Sequence, residues 1–340
     1  MTSRDDLGEF HVISSSHQRG GTPRSRRVLV GAALTGAALA AGTIGAAQAA
    51  VPESCRTVHF AEVGWTDIQA TTALASVVLD GLGYEASSDT VSVPVAYAGM
   101  KNGDFDVFLG NWMPSMASIS DPYIEEGVVD RPRANLEGAK YTLAVPQTVL
   151  DAGVTSVADL DAHAEQFEHK LFGIEAGNDG NMIIQQMIDD DAFGLGDWTL
   201  VDSSEAGMLA EAKARARSDD WIVFLGWAPH PMNTNLEMGY LSGADDYFGP
   251  DFGGATVYTN TRAGYTEECT NVGGLLENLS FTLDMENEVM GAIMNDGEDA
   301  EDAARAWLSS NPETLDAWLE GVETVEGELG LPAVRESLNL

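Results

Sequence analysis

Three tryptophans share one setting in this chain: Trp65 in VHFAEVGWTD, Trp112 in DVFLGNWMP and Trp227 in IVFLGWAPH each close an apolar, β-branched run just after a glycine. The second and third segments, Asp106 to Pro114 and Ile222 to His230, echo one another as a buried strand ending in Gly, Trp and Pro. In open α/β sheets the residues just beyond the carboxyl ends of strands line the ligand crevice, so three indoles stand where a cleft is expected. Indole faces suit a quaternary ammonium, which carries a full positive charge but has no N–H to donate to a carboxylate. A ring quadrupole attracts such a cation by about 0.5–2 kcal/mol per good contact while its methyl groups lose contact with water. Micromolar affinity needs about 8 kcal/mol net of ordering costs, so the rings need burial and polar help at the ligand's other end.

Two sources of that help are Asp67, two residues after Trp65, and the loop Gly177-Asn178-Asp179-Gly180-Asn181 between a strand and a helix. Asp67 can accept a hydroxyl proton and balance the ligand's charge. Each residue also has a plain structural reading: a lone tryptophan as core, Asp67 as a helix N-cap, Asn178 as a loop or cap residue. Trp198, Trp221, Trp307 and Trp318 are read as core.

Other chemistries find little support. His59, His163, His169 and His230 have no mutual spacing of metal ligands, and the Gly-rich GNDGN is too generic for a phosphate loop. Asp67, Asp179 and His230 could serve a hydrolase, but nothing sets them at catalytic spacing. A binder without cofactor or metal is therefore expected. With 17 basic against 54 acidic residues the formal charge is −37, which excludes nucleic acid as a partner and reads as a solvated surface suited to salty surroundings. The acid runs at Asp189 to Asp191 and Asp296 to Asp302 lack calcium-loop spacing.

The elements that must position these residues follow an α/β pattern with largely parallel sheets. Strands are expected at Val58 to Val63, Val91 to Val95, Asp106 to Leu109, Tyr141 to Val145, Leu171 to Ile174 and Trp221 to Leu225. Ala70, Leu74, Val77 and Val78 fall at helical spacing, with glycines at 81 and 83 to end the helix. Met182 to Ile188 and Met208 to Ala216 read as further helices, and Asn311-Pro312 as a cap and first-turn proline opening a helix through Trp318 and Leu319. Residues 1–49 read as a cleavable, twin-arginine-like signal peptide: Arg26-Arg27 precede a mildly apolar run, and Ala47-Gln48-Ala49 offers a cleavage site. Export to the periplasm follows, where the pair Cys55 and Cys269 reads as a disulfide more readily than as two free thiols.

GWTDI, FLGNWMP, ANLEGAKYTLAVP, GIEAGNDGN, VFLGWAPHPMNT and DYFGPDFGGATVYTN together resemble the choline-binding periplasmic component of an ABC importer, in the glycine betaine and proline-betaine group of substrate-binding proteins. The resemblance runs from about Ser54 to Leu340. It implies an α/β, two-lobed periplasmic binding protein of type II, with a hinge of two crossing segments and a ligand cleft between the lobes. Lobe A would be 50–138 plus 257–340, and lobe B 139–256. It further implies an aromatic box of Trp65, Trp112, Tyr141 and Trp227 around a trimethylammonium group, Asp67 and Asn178 at the hydroxyl end, and a Cys55–Cys269 disulfide. The partners implied are choline and an ABC permease, with the chain acting as a monomer. Glycine betaine, or a sensor role for the same ligand, is the alternative, and carnitine and acetylcholine are minor ones. Betaine's carboxylate would call for a cation, yet the cage motifs hold no arginine, Lys140 should turn away on its strand when Tyr141 faces the cleft, and Asp67 would repel it.

Overall fold

A computed structural model describes residues 51–340, so the expected signal peptide lies outside the described residues. Nine strands form one sheet: β1 Thr57–Glu62, β2 Glu85–Thr90, β3 Val107–Met113, β4 Val129–Pro146, β5 Lys170–Phe172, β6 Thr199–Val201, β7 Phe224–Ala228, β8 Met238–Tyr240 and β9 Gly254–Arg262. Their order is β2-β1-β3-β9-β4-β7-β5-β6, with β8 paired to β4. The sheet is mixed rather than largely parallel. Pairs toward its two ends are parallel, but β3–β9, β9–β4, β4–β7 and β4–β8 are antiparallel. The physical reason is that two long strands, β4 outward and β9 on the return, carry the chain through the middle in opposite directions. The expected crossover points at 138/139 and 256/257 fall inside these strands, where Leu136 faces Val257 and Ala139 faces Ala255.

The helices that bear on the site are α1 Thr66–Gly81, α2 Val93–Asn102, α3 Ala117–Glu125, α4 Gln147–Asp151, α5 Asp179–Asp189 and α6 Glu205–Arg217. Helix α1 is buried almost all round, from Ile68 through Leu79, which is why its apolar pattern is broad rather than a single stripe. Gly83, at φ +86°, turns the chain out of it as its spacing suggests.

Two sequence expectations fail locally. The segment Val91 to Val95 is not a strand: Pro94 sits in the first turn of α2, where its fixed φ and missing N–H cost nothing. The strand is instead Glu85–Thr90, a mostly exposed polar edge with no apolar alternation to betray it. Asn311 does not cap the following helix, which runs Thr314–Trp318. Its side-chain amide donates to the Trp307 carbonyl oxygen at 3.0 Å and closes the preceding helix instead. Trp198 and Trp318 are buried as core, whereas Trp221 and Trp307 are only half-buried. Cys55 and Cys269 are joined in a buried disulfide with Cα atoms 5.4 Å apart.

Candidate functional site

The four expected rings meet. Trp65 stands between β1 and α1, at the N-cap position of the helix, after Gly64, whose φ of +52° turns the chain. Trp112 lies near the end of β3, while Tyr141 on β4 is directly opposite Trp227 on β7 in the antiparallel ladder. Ring centroids are 6.0 Å apart for Trp112–Tyr141, tilted by 60°, and 6.1 Å for Tyr141–Trp227, at 82°. Steep angles keep the rings from stacking on one another, so they stand as walls. With Ile174 and Asp179 they line a cavity of about 250 Å³, counting its open mouth.

Two of the rings are held by a carboxylate outside the cavity. The Trp65 indole N–H donates to Glu175 Oε1 at 2.8 Å, and that of Trp112 to Asp67 Oδ2 at 3.1 Å. The Tyr141 hydroxyl is buried without a partner, and burial holds its phenol well above the ordinary range. It lies against the start of α5 so closely that a Cβ at position 180 would collide with it, which explains Gly180. The loop carrying Trp65 is tied to the one following Trp227 through Glu205 at the start of α6. Glu205 accepts the Thr66 backbone N–H at 2.9 Å and the Thr66 hydroxyl at 2.5 Å. His230 Nδ1 accepts the Met232 N–H, so its Nε2 carries the proton and donates to Glu205 Oε1 at 3.3 Å.

The two residues expected at the ligand's hydroxyl end are placed differently from the rings. Asp67 is buried in the first turn of α1 behind Trp112, with Oδ2 taken by that indole and Oδ1 unpartnered. It is not the N-cap of α1, a position that Trp65 holds. Burial, reinforced by the charge of Glu205, pushes its pKa up to about 7. Asn178 is spent on local structure: its side-chain oxygen accepts the Asn181 N–H at 2.9 Å as the N-cap of α5, and its amide donates to the Glu175 carbonyl oxygen. Neither residue lines the cavity. The residue that does is Asp179, 1% exposed, with both carboxylate oxygens unpartnered. Burial pushes its pKa up to about 6. The Ser115 hydroxyl and the N–H groups at the start of α5 favour its charged form, although that hydroxyl donates to the Trp112 carbonyl oxygen instead.

Asp179 is visible in the GNDGN loop only as one of several polar residues, because which of them turns inward depends on how Asn178 starts the helix. Glu205 follows the N-cap Ser204, a place where any acid is welcome, so its role leaves no mark in the sequence. Among the described residues no lysine or arginine lines the cavity. Lys140 turns away as its strand position requires, with its ammonium 5.3 Å from the Tyr240 ring centre and 5.1 Å from that of Phe252. The arrangement can therefore bind a methylated cation, and it offers no positive partner for an anion.

A family profile described as the substrate binding domain of ABC-type glycine betaine transport systems matches residues 56–310. The solved structure of an ABC-transporter choline binding protein in complex with choline is 55% identical, with a TM-score of 0.83 over 84% of this chain and 99% of that one. Such a protein in an unliganded semi-closed conformation, also 55% identical, gives 0.78 over 85% and 100%. The glycine betaine/carnitine transport binding protein GbuC of Listeria monocytogenes is 31% identical over 189 residues, 55% of this chain and 62% of that protein, so less than two thirds of its length is matched.

Proposed function

The chain belongs to the family of substrate-binding domains of ABC-type glycine betaine transport systems, and on that premise we propose that its ligand is choline, caged by Trp65, Trp112, Tyr141 and Trp227. The family consists of binders that serve transport, not enzymes, and they act outside the cytoplasmic membrane. No helix among the described residues is long and apolar enough to cross a membrane. The observation that carries the reading is a cavity with four buried aromatic walls whose charged wall residue is an acid. Four rings give several kcal/mol to a trimethylammonium group, and the acid favours a net cation over a zwitterion. The 55% identical choline binding proteins support the same ligand.

Capture proceeds by closure of two lobes, 50–138 plus 257–340 and 139–256, about β4 and β9. Contacts made only in the closed form supply the free energy that shifts the hinge. The closed form is handed to a permease partner by a monomeric chain freed of residues 1–49 in the periplasm. The second reading, glycine betaine as main ligand, has in its favour the family's own description and the name of the Listeria relative.

Calorimetric titration with choline, glycine betaine, carnitine and acetylcholine tests the proposal. Choline should bind tightest, and a higher affinity for betaine would overturn it. Trp112→Ala and Trp227→Ala should each weaken choline binding by about 30-fold or more, equivalent to about 2 kcal/mol, with an unchanged circular dichroism spectrum. Wild-type affinity in either variant would remove the cage from the account.

A further inference from the structure

We propose that the groove along α6, together with the crevice it opens into between the lobes, is a docking surface for an acidic segment of the membrane partner, complete only when the protein is closed. The inference rests on the transport reading and on the two lobes proposed above, and adds to them the surface by which closure is sensed.

The crevice has one wall from each lobe. Leu209, Met232 and Leu236 come from lobe B, and Met294 and Asn295 from lobe A. A hydrogen bond joins the two walls, donated by the Asn235 side-chain amide to Asn295 Oδ1 at 2.8 Å. Asn295 lies in a π-helical turn, Ala292–Asp296, that extends the helix Leu283–Gly291. Such turns are rare and occur often at functional sites. This one supplies both residues of the lobe A wall. Opening of the lobes parts the walls, so an occupant held by both favours the closed form, and closure favours the occupant.

The rim of the crevice supplies the charge. Lys213 lines both the crevice and the adjoining groove, where Arg217 stands one turn further along α6. Several other cations of this acidic chain are engaged, as in Lys101–Glu126, Arg215–Glu211 and Arg262–Asp106, each at 2.7 Å. Among the described residues Lys213 and Arg217 form no hydrogen bond or ion pair, and Glu237 lines the groove without pairing with either. Like charges four apart on a helix repel one another, so a carboxylate placed between them relieves the pair. The formal charge of −37 opposes a membrane surface or a nucleic acid as that anion. A short acidic segment with an apolar side chain for the crevice fits both features.

The charge-reversed double variant Lys213→Glu/Arg217→Glu tests this, with the permease and its ATPase reconstituted in vesicles and ATP hydrolysis followed at saturating choline. The concentration of binding protein that gives half-maximal stimulation should rise about tenfold or more, while choline affinity by calorimetry stays within about twofold of the wild type. An unchanged half-maximal concentration overturns the proposal. Met294→Asp, on the other lobe's wall, should raise that concentration about fivefold or more, and no change there overturns a surface made by both lobes. Should the double variant fail to fold, the wild type decides: its half-maximal concentration should rise severalfold between about 50 and 300 mM NaCl, and a value indifferent to salt overturns the charged docking. A wild type that binds choline but never stimulates hydrolysis refutes the underlying transport reading, a result distinct from the others.

Discussion

At the scale of single residues, Asp67 and Asp179 hold buried carboxyl groups whose pKa values rise from 3.8 to about 7 and about 6. In both cases burial is the main cause, and for Asp67 the charge of Glu205 adds to it. Because the folded state keeps these protons at a pH where the unfolded chain has released them, it binds more protons between about pH 4 and 7. Stability of the unliganded protein from these two groups is therefore greatest below that window and is lost as the pH rises through 6 and 7. A bound cation acts in the opposite sense, since it favours the ionised forms. The rise in melting temperature on adding saturating choline should thus be larger at pH 8 than at pH 5. An equal or smaller rise at pH 8 would show that these carboxyls do not sense the ligand. The Tyr141 phenol lines the same cavity, Glu175 and the Glu205–His230 pair are bonded to the residues around it, and the charge of Asp67 acts on buried Glu286. The comparison should accordingly be repeated in Asp179→Asn, where the pH dependence of the rise should shrink. The tryptophans at this scale were legible from their repeated Gly-Trp setting. The inward turn of Asp179 was not, because Asn178 and Asp179 differ only in which of them caps the helix.

At the scale of elements, the start of α6 holds the start of α1. Glu205 accepts two hydrogen bonds from Thr66 and one from His230, all buried, and so links the residue after Trp65 to the loop after Trp227. Glu205→Gln turns an N–H₂ group toward these donors, and leaving a buried donor unpaired costs about 1–3 kcal/mol. Choline should leave the variant about tenfold faster in stopped-flow dissociation, with secondary structure retained. An unchanged dissociation rate would reduce Glu205 to a packing residue. Elements rich in apolar residues, such as α1, α5, β3 and β7, were readable to within a few residues. β2 was missed because its polar, exposed edge carries no period-two signal, and the apparent strand beside it belongs to the proline-opened α2.

At the scale of the whole molecule, the Cys55–Cys269 bond spans 214 residues and ties the start of the described chain to the helical segment after β9. On chain entropy alone such a loop is worth about 5 kcal/mol. Cys55→Ser should accordingly lower the urea midpoint markedly, and a midpoint within error of the wild type would show that the bond constrains nothing. The amino-acid sequence by itself determined the α/β class, the acidic surface, the cysteine pair and the tryptophans at strand ends, because each is a matter of local pattern or composition. Only the tertiary structure decided that antiparallel β4 and β9 run through the centre of a mixed sheet. It alone decided that Asn178 is spent on a helix cap, that Asp67 stands behind a ring and that Asp179 faces the cavity. The last outcomes depend on which backbone N–H groups and indoles come within about 3 Å of each carboxylate or amide, and the Trp112 indole, 45 positions from Asp67, reaches that distance only once the chain has folded.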